Sequence, residues 1–328
     1  MLGYFVRRVF LALGTAWLVS VISFIIIQLP PGDYVTSYIA QLESTGEVQE
    51  GLEEMLRDEY GLDRPIAIQY LRWMNQMLRG NFGMSMEYNL PVKAVIGDRM
   101  ILTIVVALAA TMLVWMMALP IGIYSAVKQY SVGDYTVTFI GFIGLAIPNF
   151  LLALVLMYLA FRYFNANISG LFSNEYFDAP WSIARVWDLL KHLWIPSIVL
   201  GVAGTAALIR IMRANLLDEL RKPYVVTARA RGMSEWGLIL RYPVRVALNP
   251  FASTIGYIFP FIVSGSIIVS VVLSLPTVGP LLLRALLAQD MFLAGTIILL
   301  IGVMTVIGPL ISDVILVLID PRIKFEGR

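Results

Sequence analysis

Residues 100–127 read MILTIVVALAATMLVWMMALPIGIYSAV, a run without a single charged side chain. It is longer than the ~20 residues an α-helix needs to cross hydrocarbon. A soluble core strand or helix would break sooner into polar residues to meet water. Outward from it the same signal recurs at 9–29, 135–161, 194–213, 250–275 and 291–319. The fourth is the shortest: its charge-free part ends before Arg210, and snorkelling of Arg210 and Arg213 completes it. The chain therefore reads as an all-α integral membrane protein of six transmembrane helices. The first run follows Arg7 and Arg8 and exceeds the 7–15-residue apolar core of a cleaved signal peptide, so it is expected to stay as a span.

Composition agrees. The 328 residues are 59% hydrophobic and 14% charged, against about a quarter charged in soluble domains. Aromatic residues lie in or beside the apolar runs rather than in a basic stripe, which sets nucleic acid aside. There is no cysteine, so thiolate chemistry is excluded, and the one histidine, His192, is assigned no chemistry. No metal site is expected.

Six spans put both termini on one side. The segments sharing that side (1–8, 128–134, 210–249, 320–328) hold 14 Lys and Arg against 6 Asp and Glu, while the opposite segments hold 10 against 15. The positive-inside rule makes the termini cytoplasmic. Residues 30–99 are then an external segment, in which Leu52–Tyr60 and Ile66–Leu78 have helical spacing around Asp63, Arg64 and Pro65. Ile66, Tyr70, Trp73 and Leu78 form the candidate apolar stripe of the second helix. A docking platform and an interfacial helix sealing the outer leaflet both fit.

The cytoplasmic segment 210–249 carries the functional pattern. Leu216, Leu217 and Leu220 extend a helix out of the membrane, Pro223 restarts it, Tyr224 to Arg231 form a short helix, Gly232 ends it, and Ser234 caps the next. Small Ala228 and Ala230 alternate with Arg229 and Arg231, so that a partner can approach closely on one side and meet charge on the other. A basic loop held to anionic headgroups explains the charge but not this bracketed helix–turn.

These stretches resemble the membrane subunits of binding-protein-dependent ABC importers, in the dipeptide, oligopeptide and nickel permease group. The resemblance runs through RRVFLALGTAWLVSVISFIIIQLPPGD (7–33), YGLDRPIAIQYLRWMNQMLRGNFGMS (60–85), YVVTARARGMSEWGLILRYPVRVALNP (224–250) and IDPRIK (319–324). It departs from that group at Asn81, where aspartate is usual, at Ser270, where an acid is usual, and at Thr277 to Pro280 in place of a Gly-Leu-Gly turn. The resemblance implies an ABC importer type I permease fold and a coupling loop of Tyr224, Thr227, Ala228, Arg229, Ala230, Arg231, Gly232, Ser234 and Glu235, seated in a cleft of an ATPase subunit. It also implies partners: a homologous second permease in a heterodimer, two ATP-binding-cassette ATPases and an extracytoplasmic solute-binding protein, all at the cell inner membrane.

No G-x-x-x-x-G-K-[ST] run occurs in the chain, so it lacks that phosphate cradle. ATP and Mg are expected on the partner subunits, no cofactor on this chain, and the chain is not itself an enzyme. The cargo reads as a small solute, a di- or oligopeptide or an oligosaccharide, with no substrate-binding residue identified. A secondary transporter is the alternative and would want intramembrane charge relays and a repeat; a channel would want a filter. Asp313 is the one acid well inside a span and is expected to sit in a structural ion pair near the cytoplasmic leaflet. Pro120, Pro148, Pro260 and Pro309 lie inside spans and are packing positions or kinks.

Overall fold

A computed structural model describes residues 2–28, 34–45, 51–165, 168–249, 251, 253–254 and 267–319. Helix α1 (Leu2–Gln28) is followed by α2 (Tyr34–Thr45), α3 (Leu52–Tyr60), α4 (Ile66–Leu78) and a two-stranded hairpin, β1 (Met84–Ser85) with β2 (Leu90–Pro91). The long α5 (Val92–Val127) leads to α6 (Val132–Ala146), α7 (Asn149–Phe164) and α8 (Ile183–Leu220). Three short helices follow, α9 (Pro223–Ala230), α10 (Glu235–Arg241) and α11 (Pro243–Ala247), and then α12 (Val278–Leu287) and α13 (Met291–Ile319).

Helices α5 and α8 run parallel at the centre. Along α5, Ala107, Ala110, Val114, Ala118 and Gly122 recur every three or four residues and are buried, which lets two backbones approach in the small-residue manner of membrane helices. Gly201 packs on Val114 and Gly122 on Met212. A Cβ on Gly122 would lie 2.7 Å from that of Met212 and 3.2 Å from the Ile209 carbonyl oxygen. Gly122→Val is therefore expected to destabilise the subunit by about 1–3 kcal/mol, seen as a lower midpoint of thermal unfolding in detergent.

Helix α13 lies antiparallel to α1: Gly302 packs on Val19, and Arg8 Nη2 meets Asp313 Oδ2 at 2.5 Å. The expected ion pair of Asp313 is thus with the first helix. Thr103 Oγ1 accepts a hydrogen bond from the Val278 amide at 2.9 Å, and Val92 and Ile96 share a core with Leu281, Leu293 and Ile297. These contacts put the beginning of α13 beside the beginning of α5. By the antiparallel pairing, the start of α1 and the end of α13 then lie at the end of the molecule that carries α9–α11.

Among the described residues four helices are long and apolar enough to cross a membrane, and the α6–α7 pair makes a fifth if counted as one span. The expected span 250–275 lies mostly outside the described residues, Pro260 included. Two helices differ in shape or extent from the apolar runs that marked them. The run 135–161 is not one straight helix: it breaks between α6 and α7 with a bend of 100°. Ile147 (φ −82, ψ 122) and Pro148 (φ −58, ψ 134) are both extended, as expected where a proline ring disfavours α-helix in the preceding residue. Pro120 and Pro309, by contrast, sit within continuous helices. The run 194–213, read as the shortest, belongs to the 38-residue α8, which begins at Ile183 and absorbs Pro196. His192 lies inside it, Nδ1 2.8 Å from the Asp188 carbonyl oxygen.

The expected external segment forms helices α3 and α4 with the bounds read from spacing. The buried face of α4 is set by Trp73 and Met77 with Tyr70 beside them, all against Phe24 of α1. Ile66 and Leu78, expected on that stripe, are exposed, because the helix turns its i, i+3, i+7 row to α1. The turn after α4 explains its own sequence. Gly80 (φ +73) and Gly83 (φ +77) occupy the left-handed region, and a Cβ on Gly83 would lie 2.9 Å from the Phe292 ring. Asn81 Oδ1 accepts from the Gly83 amide at 3.1 Å, a task its carboxylate counterpart performs equally. Ser85 then donates at 2.6 Å to the buried Asp290, whose carboxylate also accepts from the amides of Glu87 (3.2 Å) and Leu293 (3.0 Å).

Candidate coupling site

Helix α8 delivers the site. Its last buried residues, Met212 and Leu216, share a core with Val225 of α9, Leu238 and Ile239 of α10, Val244 and Ala247 of α11, and Phe251. The three short helices are too short to be stable alone; burying these side chains against the end of α5 and α8 is what fixes them. Trp115 of α5 meets Phe251 edge-on at 6.1 Å. The loop is thus packed directly onto the central helices.

Within α9, Pro223 occupies the first turn, where its missing amide is harmless. Tyr224 donates to Glu219 Oε2 at 2.5 Å and Thr227 to the Pro223 carbonyl at 3.0 Å. Gly232 ends the helix at φ +78, its amide donating to the Arg229 carbonyl at 3.0 Å, with no heavy atom within 4 Å of where a Cβ would stand. Ser234 is the residue before α10 and is extended (φ −63, ψ 140), but its hydroxyl makes no capping hydrogen bond, contrary to the expected cap.

The candidate residues are brought together on one outer face. Tyr224, Thr227, Arg229, Ala230, Arg231, Gly232, Ser234 and Glu235 are exposed, while Ala228 is half-buried against the core. The two arginines differ. Arg229 is not an outward charge: its Nε and Nη2 donate to Glu235 Oε1 and Oε2 at 2.5 and 3.0 Å, a bidentate brace across the turn. That guanidinium holds the Glu235 carboxyl below its ordinary value of 4.5. A depressed carboxyl contributes above its unfolded pKa and loses the contribution as pH falls through the lowered one, so the brace is closed at neutral pH. Arg231 makes no ion pair among the described residues and carries the outward charge.

Two features escaped the sequence pattern. Trp236 is 58% exposed beside Glu235, and Val226 is equally open on α9. A large aromatic left bare on a polar loop is the type of residue that anchors protein interfaces; its position after a Ser-Glu helix start was the available signal. The other is the tether above the loop. Asp134, in the first turn of α6, is buried and accepts from Arg213 Nε at 3.0 Å and Nη2 at 2.8 Å, from the Tyr130 amide at 2.9 Å, and from the Ser125 hydroxyl. Ser131 accepts from the Asp134 amide at 3.2 Å, so the Ser-x-x-Asp spacing of a helix start was the legible hint.

Comparison with known proteins follows this geometry. Residues 118–325 match the family described as "Binding-protein-dependent transport system inner membrane component", and residues 1–109 match its N-terminal membrane component. The oligopeptide transport system permease protein AppB of Bacillus subtilis (strain 168) is 32% identical over 326 residues, covering 99% of this chain and 100% of AppB. The glutathione transport system permease protein GsiC of Escherichia coli (strain K12) is 30% identical over 328 residues, at 99% and 100% coverage. The inner membrane ABC transporter permease protein YejB of Escherichia coli O157:H7 is 31% identical over 369 residues, at the same coverage. The chain belongs to the inner-membrane component family of binding-protein-dependent transport systems: it is a multi-pass inner-membrane ABC importer permease of the peptide and nickel group.

Proposed function

We propose that this subunit forms half of a peptide-translocating pathway whose access alternates when partner ATPases close. The observation that carries the reading is the rigid outer face of α9 and α10, where Arg231 and Trp236 stand exposed on helices welded to α5 and α8. A push on that face is transmitted to the two central helices because the core between them is close-packed. In this reading α9 and its Gly232 turn seat in the ATPase, two ATPases use the ATP and Mg, a homologous second permease completes the pathway, and an extracytoplasmic binding protein delivers the cargo. Six spans with cytoplasmic termini fit the charge distribution. Peptide is favoured over oligosaccharide because AppB and GsiC are named for oligopeptide and glutathione transport.

Purification of the tagged subunit from its native membrane in mild detergent tests this. The wild type is expected to bring down a second permease and ATPases with peptide-stimulated hydrolysis. Arg231→Glu is expected to lose most of the ATPase while retaining the second permease, since it reverses an exposed charge at the end of α9 that makes no ion pair among the described residues. A homo-oligomer without ATPase activity would instead support a channel or secondary transporter.

A further inference from the structure

The outer module encloses a cavity of about 420 Å³ between the end of α1, helix α4, the turn at Asn81 and the beginning of α13, a size that suits a small ligand. Its apolar side is aromatic, formed by Phe24, Trp73 and Phe292, and its polar side is formed by Gln28, Gln69, Gln76, Asn81 and Arg72. None of the described lining residues is acidic. The amides are not equivalent. Gln69 is fully committed: Nε2 donates to the carbonyls of Leu62 (2.8 Å) and Arg64 (2.7 Å), and Oε1 accepts from Gln28 Nε2 at 3.1 Å. It therefore fixes Gln28 with its carbonyl oxygen unspent. Asn81 uses Oδ1 on the Gly83 amide and keeps Nδ2 as a donor.

Arg72 is exposed, and its Nη1 lies over Gly61, 2.9 Å from where a Cβ on that glycine would stand. Among the described residues it makes no ion pair and no hydrogen bond. A guanidinium at the edge of an aromatic-walled cavity with no acid among its described lining residues favours a carboxylate, and it offers the planar fork that binds one bidentately. Side-chain amides present a donor and an acceptor together, the same pair a peptide group presents. We propose that this cavity binds the C-terminal residues of a short peptide: Arg72 takes the terminal carboxylate, Gln28, Gln76 and Asn81 take a peptide group, and the aromatic wall takes the last side chain. The site rests on the peptide-import reading and adds a place where this chain itself selects the free C-terminus. A neutral oligosaccharide brings no charge for Arg72, and a phosphatidylglycerol-type headgroup brings an anion but no peptide group to pair donor and acceptor with the side-chain amides.

The test uses the permease–ATPase assembly purified free of the binding protein, titrated calorimetrically with the tripeptide Ala-Ala-Phe and with its C-terminal amide. The acid is expected to bind about tenfold more tightly than the amide, the scale of one charge-assisted hydrogen-bonded contact. Arg72→Gln is expected to erase that difference, and Arg72→Lys to restore part of it. Three results would overturn the site: equal binding of acid and amide by the wild type, discrimination that survives Arg72→Gln, or no peptide binding at all. Displacement of a bound anionic phospholipid without peptide discrimination would assign the cavity to lipid. ATPases retained in the preparation separate the two claims, because their presence with a failed titration strikes the site alone, while their absence strikes the importer reading.

Discussion

Gly232→Pro is expected to uncouple the transporter without unfolding it. At φ +78 the residue lies where proline, fixed near −65°, cannot go, and its amide is spent on the Arg229 carbonyl. The turn must re-form in another direction, carrying Ser234, Glu235 and Trp236 away from their present face and opening the Arg229–Glu235 brace. Nothing packs on the position, so the core beneath keeps its contacts. Misplacing one anchor residue removes about 2 kcal/mol or more of docking energy, roughly thirtyfold in affinity. Uptake and stimulated ATP hydrolysis are expected to fall together, with the subunit present in the membrane at wild-type abundance. Gly232→Ala tolerates the geometry at about 1–2 kcal/mol of backbone strain and is expected to lie between. Wild-type uptake by the proline variant would remove the coupling role from this turn.

The second large effect concerns stability. In Arg213→Ala the buried Asp134 carboxylate keeps its hydrogen bonds from Tyr130 and Ser125 but loses the bidentate cation. Breaking a buried pair by removing one partner costs about 3–5 kcal/mol. Here it acts where the α5–α6 turn is tied to α8, about two helical turns before α8 ends at Leu220. A detergent-solubilised Arg213→Ala subunit is expected to unfold at a much lower temperature than wild type. The double replacement with Asp134→Ala is expected to recover part of the loss, because it leaves no carboxylate stranded. An unchanged melting curve for Arg213→Ala would show that the pair is not a tether.

The sequence was most legible where one physical demand acted alone. Charge-free runs long enough for a bilayer marked the helices, and Pro65 and Gly232 marked chain turns, because proline and left-handed glycine act locally. Legibility failed where a neighbour decided. Arg229 read as an outward charge until its bidentate bond to Glu235 showed it paired across the exposed turn. Which face of α4 is buried depended on α1, which its own periodicity did not specify. Helix α8 began eleven residues earlier than its apolar run, since Arg185 is carried in the protein rather than in water. Its guanidinium lies 4.7 and 4.5 Å from the ring centroids of Phe172 and Trp181 and donates to the carbonyls of Ala179 and Phe177. The resemblance to importer permeases supplied the candidate coupling residues, but it said nothing of the Asp134–Arg213 tether or of the cavity at Arg72.

The bend between α6 and α7 bears on how the cell handles this protein. A helix end inside an apolar segment leaves amides and carbonyls that a lipid tail cannot satisfy, and Phe139, Ile140, Phe142 and Ile143 flank it with exposed apolar surface. On the proposed two-permease assembly, a newly made copy awaiting its partner would therefore carry an unfinished surface in the bilayer. On that assembly, balanced synthesis of the two permeases is expected to set how much transporter accumulates, with a surplus of one subunit cleared instead of stored.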